Sequence, residues 1–94
     1  MNKEDTEKKI YDFTTILVEV EFDMFKEINL SKSIANTIHQ GTADIGVDDI
    51  AREIYHNGKT EIEDDEIRKQ IVLIVMNSSL IAPVKQAVRK MLEG

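Results

Sequence analysis

The chain has 94 residues, of which 41% are hydrophobic and 32% charged, and it carries a net charge of −6 and no cysteine. A domain of that size buries only about two-thirds of its unfolded surface, so one modest core is expected and two are excluded. The acidic balance argues against nucleic acid or an anionic membrane as the main partner, because both are held by clustered cations, and the missing cysteines exclude disulfides, thiol chemistry and cysteine-ligated metal.

Residues 1–9 contain lysines, acids and small polar groups behind Met1. With nothing to bury they are expected to be a flexible polar tail, leaving residues 10–94 as a single compact domain. They do not read as a signal peptide, and no apolar run approaches the roughly 20 residues of a membrane span. A cytoplasmic protein with no membrane partner is the simplest expectation.

From Ile10 the character changes. Between Thr14 and Phe22, Ile16, Val18, Val20 and Phe22 alternate with Leu17, Glu19 and Glu21, the period-two pattern of a half-buried strand. A helix is the rival reading over residues 10–22, since Ile10, Phe13 and Leu17 also share a helical face, but Val18 and Val20 weaken it. Asp23 to Lys26 reads as a turn and Glu27 to Leu30 as a returning strand, although no Asn-Gly or Asp-Gly marks the turn. An isolated hairpin is hardly stable in water, so the side bearing Ile16, Val18 and Val20 must lie on helices.

Ser31 then suits a helix N-cap, with Ile34, Ala35 and Ile38 at helical spacing and Gly41 as terminator. Thr42 to Gly46 reads as a loop. Val47 and Asp48 open the next helix, in which Ile50, Ala51, Ile54 and Tyr55 form the buried stripe and Asn57-Gly58 the stop. Thr60 to Glu63 is a short alternating segment able to join the hairpin as a third strand. Asp64 or Asp65 caps a helix running to about Asn77, and Pro83 is preorganised for the first turn of the last helix. In that last helix Val84, Ala87, Val88, Met91 and Leu92 mark one face, and Lys85, Arg89, Lys90 and Glu93 the other.

Several groupings invite a chemical reading. The carboxylates Glu61, Glu63, Asp64, Asp65 and Glu66 are dense enough for a hard cation, but their spacing fits no calcium-wrapping loop, and acids ahead of a helix ordinarily serve its positive end. The loop around Asp44, Asp48 and Asp49 likewise lacks the EF-hand pattern. Glu53 and His56 form a Glu-x-x-His pair, which di-iron bundles use twice; no second copy is present here. His39 and His56 each fall in the last turn of a helix, where an imidazolium faces the negative end of the dipole. No Ser-His-acid set and no phosphate-binding glycine loop is found, so no catalytic, metal or cofactor residue is assigned.

Val47 to Tyr55 resembles the first helix of a helix-turn-helix, but the would-be recognition helix opens on Asp64-Asp65-Glu66, where phosphates would approach. The apolar block Ile71 to Met76 carries the strongest remaining signal. It is either an internal helix or a contact with another copy, with Ile71, Val72, Ile74, Val75 and Met76 as the candidate interface.

The succession Ile28-Asn29-Leu30-Ser31, Ile34-Ala35-Asn36, Ile50-Ala51 with Ile54-Tyr55, Gly58 to Asp64, and Ala82-Pro83-Val84-Lys85 resembles small uncharacterised proteins encoded in tailed-phage and prophage gene clusters. The likeness covers residues 14–92 and departs from them in lacking an Asp-Gly turn after the first strand. It implies a phage-derived origin and a role in assembly or host interaction, and it brings no functional residue with it. The expectation is thus an α+β fold, mostly helical, with an N-terminal β-hairpin and a third short strand packed on three to four helices. Its expected function is that of a non-catalytic protein-interaction module whose partner is another protein or a second copy. A small helix-turn-helix-like DNA-binding regulator is the alternative.

Overall fold

The structure, a computed structural model, describes residues 9–94. The expected polar tail therefore lies outside the described residues except for Lys9, whose carbonyl accepts the Ile62 N–H at 3.3 Å. The elements in chain order are β1 (Ile10–Asp12), β2 (Ile16–Glu21), β3 (Met24–Ile28), α1 (Ser31–Gly41), α2 (Ile45–Asn57), β4 (Lys59–Glu61), α3 (Asp65–Met76) and α4 (Ala82–Glu93). The fold is α+β and mostly helical. Residues 10–21 adopt the strand reading, broken by a bend after Asp12.

Two separate two-stranded antiparallel ribbons form, β2 with β3 and β1 with β4. The short strand near residue 60 does not extend the hairpin as expected. It pairs with β1 instead, Tyr11 opposite Thr60, because the chain preceding β2 supplies a free edge beside the end of α2. At the bend, Thr14 donates its N–H and hydroxyl to the Asp12 carboxylate, which holds that carboxyl below the ordinary acid range, with Lys59 adding to the effect. Phe13 is the hub of the fold. Its side chain is wholly buried, its N–H donates to the Gly58 carbonyl at 2.8 Å, and its carbonyl accepts the Leu30 N–H at 2.9 Å. One residue thus ties the strands to the end of α2 and to the start of α1.

Helix boundaries follow from local chemistry. At α1 the N-cap position is Leu30, not Ser31, and no side chain caps it; the Asn29 side-chain oxygen just outside accepts both the N–H and the hydroxyl of Ser31, the first helical residue. Helix α2 begins two residues earlier than the sequence suggested, because the Asp44 carboxylate accepts the Gly46 and Val47 N–H groups and pulls Ile45 and Gly46 into the first turn. Its stop is Gly58, at φ 79°, whose N–H returns to the Ile54 carbonyl. Asp64 caps α3 through the Glu66 N–H, and Pro83 lies in the first turn of α4.

The buried side chains form one cluster in which Phe13, Ile34, Ile38, Val47, Ile54, Ile71, Val75 and Val88 have no exposed surface. Each such side chain contributes about 1.5–3 kcal/mol when withdrawn from water. Helices α1 and α2 pack closely as an antiparallel pair, and α3 crosses α1 at its C-terminal end. The crossing is close because Gly41 has no side chain: a Cβ there would lie 2.6 Å from Ile74 Cγ2. Helix α4 closes the core by running alongside β2, with Val84, Val88 and Leu92 inward. The apolar stripe of α2 is narrower than expected, Tyr55 lying on the surface beneath the Lys32 ammonium, 4.6 Å from its ring centre.

Candidate functional site: the hairpin tip and the groove beside α4

The hairpin is built by alternation. Ile16 and Val18 point into the core against α4, so Leu17 and Glu19 must point away. Phe25 stands directly opposite Glu19 and therefore shares the outward face with Leu17. The connection is only Phe22-Asp23. Asp23 takes a left-handed conformation, φ 64°, which aspartate tolerates better than most residues, and its N–H donates to the Glu19 carboxylate at 2.7 Å. A register shift between Glu19 and Glu21 adds twist near the tip.

The result is an apolar tip with little cover. Phe22 is 95% exposed, and Leu17, Met24, Phe25 and Val20 are each about half exposed. Val20, expected on the helices with Ile16 and Val18, reaches past them. Beside the tip, the outward face of the hairpin and the outer side of α4 enclose a groove of about 710 Å³. Leu17, Phe22 and Phe25 form one wall, while Pro83, Ala87 and the stem of Lys90 form the other. The walls differ in charge. Of the charged side chains that line the groove, the hairpin wall supplies Glu19 and the α4 wall supplies Arg89, Lys90 and Glu93. Arg89 reaches Gln86 at 2.8 Å and Glu93 at 3.9 Å on its own helix.

The candidate interface residues on α3 pack within the chain. Ile71, Val72 and Val75 are buried in the chain's own core, and Ile74 and Met76 pack partly buried against it. The exposed apolar residue of that helix is Leu73. These five side chains thus serve the inside of the fold, and the larger apolar surface lies on the hairpin. The sign of it in the sequence is Leu17, large, apolar and left over once alternation has assigned Ile16 and Val18 to the core; Phe22 shares their side by alternation and carries no such sign.

The titratable groups are brought together as helix ties. The His39 imidazole donates to the Asp48 carboxylate across α1 and α2, and Asp48 also takes Arg52 at 3.5 Å. With Tyr55 and His56 they line a cleft of about 220 Å³ between the two helices. His56 stands edge-on to Tyr55, and Glu53 accepts the Thr60 hydroxyl, fastening α2 to β4. In the acidic run, Asp64 serves as cap and Asp65 pairs with Arg68 at 3.1 Å. Among the described residues no group of three or more His, Cys, Asp or Glu side chains is arranged to hold a metal ion, and no helix is long and apolar enough to cross a membrane.

The helix-turn-helix arrangement has a tight turn between its helices, whereas β4 stands between α2 and α3 and is paired to β1. The would-be recognition helix moreover buries Ile71, Val72 and Val75 and presents acids at its first turn. Comparison with protein-family models, with curated proteins and with solved structures finds no match.

Proposed function

We propose that this protein is a non-catalytic interaction module of the cytoplasm whose working surface is the hairpin tip with the groove beside α4. The resemblance to phage-cluster proteins supports an assembly or host-interaction role for it. The observation that carries the reading is Phe22, a large apolar ring left 95% in water at the end of a two-residue turn, next to a groove with apolar walls. A contiguous patch of that kind on a small soluble domain marks a site for another macromolecule. Asp44 and Asp64 cap helices, and the pairs His39 with Asp48 and Glu53 with Thr60 tie elements together, which is structural work.

The test is a photo-crosslinking amino acid placed at residue 22, and in parallel at Lys69 on the exposed side of α3, in cells producing the chain. Discrete protein adducts are expected from position 22 and not from 69. Equal adducts from both, or none from either, would remove the tip as the working surface.

A further inference from the structure

We infer that the cleft between α1 and α2 is a binding site for a phosphate group, free or at the end of a small ester. The site shares no residue with the groove beside the hairpin and stands apart from the function proposed above.

Two helical stripes build the cleft. On α1, Lys32, Ala35, Asn36 and His39 follow one another at three-four spacing; on α2, Asp48, Ala51, Arg52 and Tyr55 do the same, with His56 beside them. Because the helices run antiparallel, contacts between them mark the two ends of the cleft, His39 with Asp48 at one and Lys32 over the Tyr55 ring at the other. Between these ends, Ala35 and Ala51 are buried and short, where the core positions around them hold Ile34, Ile38 and Ile54. The floor is therefore low. The space above it is about 220 Å³, room for about seven waters at roughly 30 Å³ each and so for a tetrahedral oxyanion with a small group attached.

The polar groups on the walls select the occupant. Asp48 is the one carboxylate among the lining residues, and His39 and Arg52 both engage it, so a cation finds no ligand set there. With both imidazoles neutral, Arg52 and Lys32 against Asp48 leave the region one positive charge ahead, in a chain of net charge −6. Arg52 approaches Asp48 through Nε at 3.5 Å, an exposed pair of little strength, and its two terminal nitrogens carry further donors. Asn36 brings an amide from the facing wall, and His56, one turn along from Arg52, brings a ring N–H. A flat carboxylate is satisfied by a single guanidinium fork, whereas donors on two walls suit an anion whose oxygens point in several directions. Phosphate is such an anion. Tyr55 and the alanine floor offer apolar contact to a carbon group attached to it.

Titration of the isotope-labelled full chain with inorganic phosphate, at a constant ionic strength of about 0.15 M, tests the site by nuclear magnetic resonance. Saturating shifts centred on Asn36, Arg52 and His56 are expected, with a Kd of about 1 mM or tighter. Acetate should bind at least about threefold more weakly. Arg52→Gln should weaken phosphate at least about tenfold and Asn36→Ala about threefold, while Arg68→Gln on α3 leaves it unchanged. Asn36 and Arg52 are both exposed, so the remaining signals should stay in place and show that each variant is folded. Asn36 has no charge, and its loss separates a built site from general attraction to cations.

Shifts that never saturate, shifts centred instead on Lys85, Arg89 and Lys90, acetate bound as tightly as phosphate, or an affinity indifferent to Arg52→Gln or to Asn36→Ala would each overturn the proposal. Phenyl phosphate then divides the sources. Tighter binding than inorganic phosphate, with shifts reaching Tyr55, assigns a small ester; equal or weaker binding assigns the free ion, and both uphold the site.

Discussion

Gly58→Ala is expected to cost about 2–4 kcal/mol of folding stability, and the figure can be built from two separable parts. Gly58 sits at φ 79°, where a Cβ meets the following peptide; a non-glycine residue pays roughly 1–2 kcal/mol there. The new methyl would also lie 2.5 Å from Thr14 Cγ2, and Thr14 is not free to retreat, because its hydroxyl and N–H are both held by Asp12. Overpacking of this kind costs about 1–3 kcal/mol. Against these, the smaller conformational freedom of alanine in the unfolded chain returns about 0.4–1 kcal/mol. At about 4–8 °C per kcal/mol for a domain this size, the melting temperature should fall by roughly 10–30 °C.

Urea and thermal unfolding followed by circular dichroism measure the total, and Thr14→Ser divides it. Serine keeps the hydroxyl for Asp12 but lacks the offending methyl, so the double variant should recover about 1–3 kcal/mol relative to Gly58→Ala alone, with the left-handed cost remaining. A Gly58→Ala chain that melts within about 2 °C of the parent would refute the packing of the β1 bend on the end of α2. Recovery absent in the double variant would refute the contact with Thr14 specifically.

Two further outcomes are expected. Because Asp12 titrates below its ordinary value of 3.8 when folded, its bond to Thr14 stabilises the fold fully above that pH and is lost as pH falls through the lowered folded value; Asp12→Asn should therefore destabilise at pH 7 and cease to matter in strong acid, read from urea midpoints at each pH. On α3, Ile71→Ala should cost about 2–5 kcal/mol and Leu73→Ala less than about 0.5, and comparable losses at the two positions would mean that α3 is turned differently in the fold.

Much of the architecture could be read from residue order. Alternation from Ile16 to Glu21 placed the first strand of the hairpin, though its turn falls at Phe22-Asp23 and not over Asp23 to Lys26; three-four spacing placed the inward faces of α1 and α4, and Gly58 with Asp64 marked one helix end and the next helix start. What escaped was decided by atoms distant in the chain. Tyr11 meets Thr60 only after α1 and α2 have folded back, so the partner of β4 has no local signature. The Ser31 hydroxyl donates to Asn29 and Ser31 is the first helical residue, a partner and a start that spacing alone does not give. The block from Ile71 to Met76 is apolar all round and gives no clue to which side faces out; Gly41, by letting α1 approach Ile74, helps settle that half of it is inside. The hairpin surface was hidden for the converse reason. Period two tells which residues share a side, but not how far a strand extends past the helix that covers it, and Val20 and Phe22 lie beyond that limit.

The placement of α4 beside β2 has a consequence for synthesis. The strand leaves the ribosome about 60 residues before the helix that shields it, a lag of about 3–12 s at ordinary elongation rates. Throughout that lag Ile16 and Val18 are as bare as Leu17 and Phe22, and the nascent ribbon is greasy on both sides. A holdase that grips short apolar segments finds its target here, and slow codons between Glu21 and Ala82 lengthen the wait without altering one native contact.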